Sequence, residues 1–388
     1  MRDSKVFLDP HILHTVNRPD VVMSRGDGVY LFDEAGKRYL DAIGGWAVTC
    51  LGHGHPILNE ALFKQSEILW NASAYFLNRP MLDFSQFLCK KSGLDRVFFG
   101  SSGAEVNECA IKLARKYGAL HKKGAYEIVT LTNSFHGRTL ACMSATGKEA
   151  FKELFEPKVP GFFHVPINDL DAIKAAIKPN VVAIMVEPIQ GEGGVNICSE
   201  DYLKAVRELC DQHDILLIFD EVQTGIGRTG KFFDFEHAGI KPDILTLGKG
   251  LGGGYPISAM LCSESLNIFD AGEQGGTYSG QALGMAVGLA VAKEVSKPAF
   301  LAHVKKTGTY IFDELCHLSK TKPIASVRGR GLLVAFDVDG DAPLLAKRLL
   351  DLGVIVNASS NKTIRLIPPL VFTKSHVDEL LSCLKKAL

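Results

Sequence analysis

The chain has 388 residues, 46% hydrophobic and 22% charged, the profile of an ordinary soluble globular protein long enough for two domains. Its 43 basic residues balance 43 acidic ones, which argues against nucleic acid or an anionic membrane surface as partner, since both need a basic excess. Nine cysteines without a CxxC pair read as reduced thiols of a cytoplasmic protein, no apolar run reaches membrane-span length, and residues 1–5 lack a signal-peptide core.

Residues 28–40 carry a hairpin-like pattern. Short apolar runs then read as buried strands at 96–100, 127–131, 181–186, 215–219 and 244–247, with helical patterns at 104–120 and 200–213. Continuous rather than alternating apolar strands imply a sheet covered on both faces. The expectation is therefore an α/β domain with a mostly parallel sheet, spanning about 46–285. A helix at 283–296 leads out of it. The last hundred residues mix strands (331–338, 354–357, 363–367) with helices (342–352, 375–387). Residues 1–45 and 286–388 together are expected to build a smaller α+β domain from both termini.

In an open parallel sheet, ligands bind beyond the carboxyl ends of the strands, and the residues at those ends carry chemistry. The run 244–247 leads into Gly248-Lys249-Gly250. Burying an ammonium there is costly unless it has a use, such as an amine of lowered pKa that condenses with a carbonyl cofactor. After 96–100 come Ser101, Ser102, Gly103 and Ala104 at a helix start, either a phosphate site or a plain helix cap. The run 215–219 ends in Asp220, a carboxylate that wants a cationic partner such as a protonated pyridine nitrogen, or else a structural ion pair. Glu187 and Glu192 follow 181–186. Phe135, His136 and Arg138 follow 127–131, adding a stacking face, an imidazole and a guanidinium to the same edge.

Three other patterns lack the context their motifs need. Gly225-Ile-Gly227-Arg-Thr-Gly230 matches a dinucleotide fingerprint, but five residues separate it from the strand and no clean amphipathic helix follows. Gly248-Lys249-Gly250 lacks the spacing and hydroxyl of a P-loop. His53 and His55 have no further ligands to complete a metal site, so no metal is expected.

Six segments in order (44–56, 102–105, 135–139, 186–194, 217–225 and 248–254) make the chain resemble the class III aminotransferases. These are pyridoxal-phosphate enzymes of the aspartate aminotransferase fold (fold type I), and the likeness is nearest to the branch acting on N-acetylornithine. The resemblance implies pyridoxal 5'-phosphate held by Lys249 through its amine, with Asp220 at the ring nitrogen and Phe135 stacked on the ring. Glu221, Val222 and Gln223 would lie at the ring and its substituents. Ser102, Gly103 and Ala104 would hold the phosphate, with Thr277 from a partner subunit, so a homodimer is implied. Arg365 would grip the α-carboxylate of glutamate or 2-oxoglutarate, Glu192 would neutralise it in their absence, and Arg138 would bind the carboxylate end of the amine donor.

Gly276 departs from the pattern. It stands where the class usually has a hydroxyl residue that contacts the donor, and a missing neutral hydrogen bond costs about 0.5–1.5 kcal/mol. Ornithine, succinylornithine, 4-aminobutyrate or a diamine therefore stay open as donors. An aminomutase or decarboxylase would leave Arg365 and Glu192 without a task, and a pure binding protein would have no use for that pair.

Overall fold

The computed structural model describes residues 9–388, so residues 1–5, read above as lacking a signal-peptide core, lie outside the described residues. In chain order the strands begin with β1 (Met23–Asp27), β2 (Tyr30–Asp33) and β3 (Arg38–Asp41). Next come β4 (Arg96–Gly100), helix α1 (Gly103–His121), β5 (Glu127–Leu131), β6 (Phe162–Val165) and β7 (Val181–Val186). Helix α2 (Glu200–His213) precedes β8 (Leu216–Asp220), β9 (Ile244–Leu247) and β10 (Ser258–Cys262). Helices α3 (Ala282–Val295) and α4 (Pro298–Leu318) lead to β11 (Ile324–Arg330) and β12 (Leu333–Val338). The chain closes with α5 (Ala342–Asp351), β13 (Val354–Ile355), β14 (Asn357–Ala358), β15 (Thr363–Leu366) and α6 (Lys374–Ala387).

The main sheet has the order β4-β10-β9-β8-β7-β5-β6. All pairs are parallel except those made by β10, which runs antiparallel to both its neighbours. Every residue of β7 and β9 is buried, because helices such as α1 and α2 cover both faces and leave no side of these strands for polar residues. The mostly parallel α/β fold is as the apolar runs imply. Two of its strands escaped the sequence pattern. β6 is a short, half-exposed edge, and β10 begins Ser-Ala, lacking the β-branched residues that mark strands. The expected run 215–219 is shifted by one, so Asp220 closes the strand itself.

The expected single strand 354–357 divides between two sheets. β13 pairs parallel with β3, joining β1-β2-β3-β13, while β14 pairs antiparallel with β15 in β11-β12-β15-β14. One residue, Val356, separates the two, so the chain steps from one sheet to the other there. β11, which the sequence pattern did not distinguish, packs antiparallel on β12.

Candidate active site

The carboxyl ends of β4, β5, β7, β8 and β9 open onto one cavity of about 260 Å³. Gly103, Ala104, Phe135, Arg138, Asp220, Val222, Gln223 and Lys249 line it, together with Asn107, His136 and Glu187. The strand direction, common to all five, is what brings segments more than a hundred residues apart to one place.

Helix α1 begins with a capping box: Glu105 N–H donates to Ser102 Oγ (3.3 Å), and Glu105 Oε2 accepts from Ser102 N–H (3.3 Å) and also from Ser101 N–H (2.5 Å). Ser102 is therefore a cap. Gly103 and Ala104, at the first two helical positions, have amides without an intrahelical acceptor, and these first-turn N–H groups suit an anion. Glycine is required at 103, because a Cβ there would lie 2.7 Å from Val222 Cγ1. Both readings of this segment thus coexist, the side chain capping and the backbone left free.

Asp220 sits at the cavity floor, 4% exposed. Its Oδ2 accepts from Asn107 Nδ2 and faces His136 Nδ1, both at 2.8 Å, and its Oδ1 accepts from Val222 N–H at 3.0 Å. Burial disfavours a charged His136, but the Asp220 contact and the Glu187 charge outweigh it and raise the imidazole pKa above its ordinary value. Asn107 and His136 thus hold the carboxylate in place. Asn107 Oδ1 and His136 Nε2 are buried without hydrogen-bond partners among the described residues.

Lys249 follows β9 in a left-handed backbone conformation (φ 45°), an unusual state for a residue with a side chain and one typical of sites under functional constraint. Burial lowers its pKa, aided by Arg365, while Glu192, Glu187 and Asp220 oppose the shift. Burial also pushes Glu187 up to about 7, and its Oε2 accepts from Phe135 N–H at 2.7 Å, fixing the aromatic wall.

Behind Gln223 lies a second charged group. Arg365, wholly buried on β15, donates to Glu192 Oε1 (2.7 Å), to Asn357 Oδ1 (2.9 Å) and to Gln223 Oε1 (3.2 Å). Burial alone would raise the Glu192 pKa, yet Arg365, Lys249 and Lys148 bring it down to about 2. Gly191 makes room for the network, since a Cβ there would overlap the Gln223 amide.

The structure corrects one sequence-derived assignment. Glu221 points away from the cavity: its carboxylate accepts the N–H groups of Asp234 (2.6 Å) and Phe235 (2.8 Å), so it anchors the loop after β8 and does not touch the site. Side chains alternate along extended backbone, so when Asp220 faces the cavity its neighbour faces the other way. Gly276 and Thr277 are exposed and lie outside the cavity formed by this one chain, and Arg138 stands exposed at its mouth with its guanidinium 5.8 Å from the Phe135 ring centre. Sequence reasoning gave no role to Asn107. Its one signal was a polar residue on the otherwise apolar buried face of α1.

A buried carboxylate, an aromatic wall, Val222, free first-turn amides and an amine of lowered pKa fit a flat, phosphate-bearing aldehyde whose ring nitrogen takes a proton. The aminotransferase class-III family model matches residues 13–388. The chain is 44% identical over 381 residues to an acetylornithine aminotransferase of Caldanaerobacter subterraneus subsp. tengcongensis, covering 97% of each. Among solved structures it is similar to the N-acetylornithine aminotransferase from Stenotrophomonas maltophilia (TM-score 0.83, 34% identity, 95% of each chain). It is also similar to a Toxoplasma gondii ornithine aminotransferase with partial occupancy of PLP at its active site (TM-score 0.91, 34% identity, 96% of this chain and 90% of that one). A site built on these strand ends, in a chain matched along nearly its whole length, places the protein in the class III aminotransferase family.

Proposed function

We propose that the protein moves the δ-amino group of N-acetylornithine to 2-oxoglutarate, giving N-acetylglutamate 5-semialdehyde and glutamate, as a step of arginine biosynthesis. The observation that carries the reading is the Arg365–Glu192 pair behind the cavity, which suits a site that must accept a ligand with an α-carboxylate and one without it in turn.

Pyridoxal 5'-phosphate is the cofactor of the class; when bound, it supplies a carbonyl that exchanges for the amine nitrogen and a ring that accepts electrons from the substrate carbon. Lys249 would hold it, Asp220 would keep a proton at its ring nitrogen, and Phe135 and Val222 would bracket the ring. The amides of Gly103 and Ala104, with Ser102 as their cap, would take the phosphate, and Gln223 would lie at the ring substituents. Lys249 Nζ, its proton affinity lowered by burial, would carry the proton to and from the substrate carbon. Asn107 and His136 would keep Asp220 oriented for its task.

With N-acetylornithine, the reacting end bears no carboxylate, so Glu192 stays on Arg365 and Arg138 at the mouth takes the distal carboxylate. With 2-oxoglutarate, Glu192 gives way and Arg365 binds the α-carboxylate; a planar guanidinium suits this better than an ammonium. The working unit is a homodimer in which Thr277 and Gly276 of one protomer complete the partner's site. Leu62, Phe63, Ile68, Trp70, Phe76 and Leu77, large hydrophobics within sixteen residues of one another in sequence, are all exposed in the single chain, as residues that a partner subunit covers would be. Residues 46–285 form the cofactor-binding part, and the described residues of 1–45 with 286–388 the smaller one, a division supported by the β13–β3 pairing; residues 1–8 of that expected part lie outside the described residues. A cytoplasmic location accords with the nine unpaired cysteines and with the lack, among the described residues, of a helix able to cross a membrane. Gly276, exposed and lacking a hydroxyl, favours a second reading in which ornithine, succinylornithine, 4-aminobutyrate or a diamine is the donor.

A visible absorption spectrum of the cofactor-loaded protein tests this. N-acetylornithine should bleach the band of the Lys249-bound cofactor and 2-oxoglutarate should restore it. Bleaching by another amine alone would move the donor, and the lack of any band after supplying pyridoxal phosphate would sink the reading.

A further inference from the structure

Glu192 is held from two sides. Its Oε1 takes the Arg365 Nη2 hydrogen bond at 2.7 Å, and its Oε2 lies 3.8 Å from Lys148 Nζ. Lys148 is mostly buried, 23% exposed at the side chain, and Glu192 is its only carboxylate within 4.0 Å among the described residues. The neighbouring Glu149 pairs with Lys152 instead. The remaining groups felt at Lys148 are Glu187, which favours its charge, and Arg365 and Arg138, which oppose it. The Phe135 ring centre lies 5.5 Å from its ammonium.

The two segments are fixed relative to each other. Gln190 Nε2 donates to Thr132 O at 2.7 Å, and Gly147, just before Lys148, accepts from Asn133 N–H at 2.8 Å. The ammonium is therefore poised at a set place beside the carboxylate. A carboxylate released from its guanidinium in a partly buried site is costly unless another cation receives it.

We propose that Lys148 is a positioning residue that receives Glu192 when a ligand carboxylate claims Arg365, giving the acidic switch a second seat. This rests on the transaminase reading for the ligand's identity, but the linkage among Lys148, Glu192 and a bound dicarboxylate stands on the geometry. Lys148 then acts on the carboxylate-bearing acceptor and not on the amine donor, for which Glu192 keeps its place on Arg365.

Calorimetric titration of the cofactor-loaded protein with glutarate, an unreactive dicarboxylate, tests it in a double-mutant cycle of Lys148→Met and Glu192→Gln. Lys148→Met alone should weaken glutarate roughly tenfold, the size of one lost charge-assisted contact, and Lys148→Arg should restore most of it. In the Glu192→Gln background, Lys148→Met should cost little. The KM for 2-oxoglutarate should rise with the glutarate dissociation constant, by a larger factor than any change in kcat or in the KM of the donor. An equal loss in both backgrounds would mean that Lys148 grips the ligand directly, and would overturn the proposal. So would equal losses for donor and acceptor, no loss at all, or no glutarate binding by the unmodified protein. Coupled glutarate binding in a protein that exchanges no amine with 2-oxoglutarate would sink the functional reading alone.

Discussion

Arg365 and Glu192, 173 residues apart in the chain, meet in a 2.7 Å ion pair in which the guanidinium is wholly buried. β15 supplies one partner and the turn after β7 the other, so the pair forms only when the two sheets are correctly placed. Its carboxylate has a folded pKa of about 2 against an ordinary 4.5, a depressed value. Such a group stabilises the fold above about pH 4.5, and that contribution fades as pH falls toward about 2. Glu192→Gln should remove at most about 3 kcal/mol at pH 7 and less at pH 3, as urea unfolding at the two pH values would show.

Arg365→Lys keeps a cation but loses the planar fork. The KM for 2-oxoglutarate should rise roughly 10- to 100-fold while the first turnover with the donor, which leaves Arg365 covered by Glu192, changes far less. Single-turnover kinetics of each half-reaction separate the two.

Lys249→Ala should eliminate the absorption band of the bound cofactor and lower kcat by about 10⁴-fold or more, since both the covalent hold and the proton carrier are lost. Far-ultraviolet circular dichroism should be preserved, because β9 and its neighbours are packed without help from this side chain.

Asn107→Leu leaves Asp220 Oδ2 with His136 as its one side-chain partner. A carboxylate that loses one of its two side-chain anchors is held less firmly in the orientation that faces the ring nitrogen. The expected result is a fall of about 10- to 100-fold in kcat in steady-state assays, with the KM values for donor and acceptor changed far less.

Arg228 is buried at 2% exposure and donates to Leu332 O at 3.0 Å and Pro368 O at 2.5 Å, with no carboxylate partner among the described residues. Burial brings its pKa down to about 10. It ties the loop after β8 to the segments around β12 and β15. Arg228→Ala should cost about 3 kcal/mol or more in unfolding free energy, from the empty space and two stranded carbonyls.

Much of the site was legible because parallel sheets put their ligand-binding residues at a fixed end of each strand. Once 127–131, 181–186, 215–219 and 244–247 read as buried strands, Phe135, Glu187, Asp220 and Lys249 had to fall on one edge. Asn107 was not legible, since it sits inside a helix and only the packing of α1 against β8 carries its amide to Asp220. Glu221 misled because its neighbours share the cavity while alternation turns it the other way. β10 was invisible for a different reason: Ser-Ala-Met-Leu-Cys carries no strand signal, and its antiparallel seat between β4 and β9 is a property of the finished sheet.

Local pattern alone carries the order of five of the seven main-sheet strands, the α/β class and the identity of the amine, carboxylate and aromatic ring at the strand ends. These follow from apolar periodicity and from what single residues can do when buried. The folded arrangement sets which of Glu192's oxygens meets Arg365 and which faces Lys148, that Ser102 caps while its following amides stay free, and that residues 354–358 divide between two sheets. Those facts depend on contacts between segments far apart in the chain, whose distances no local pattern encodes.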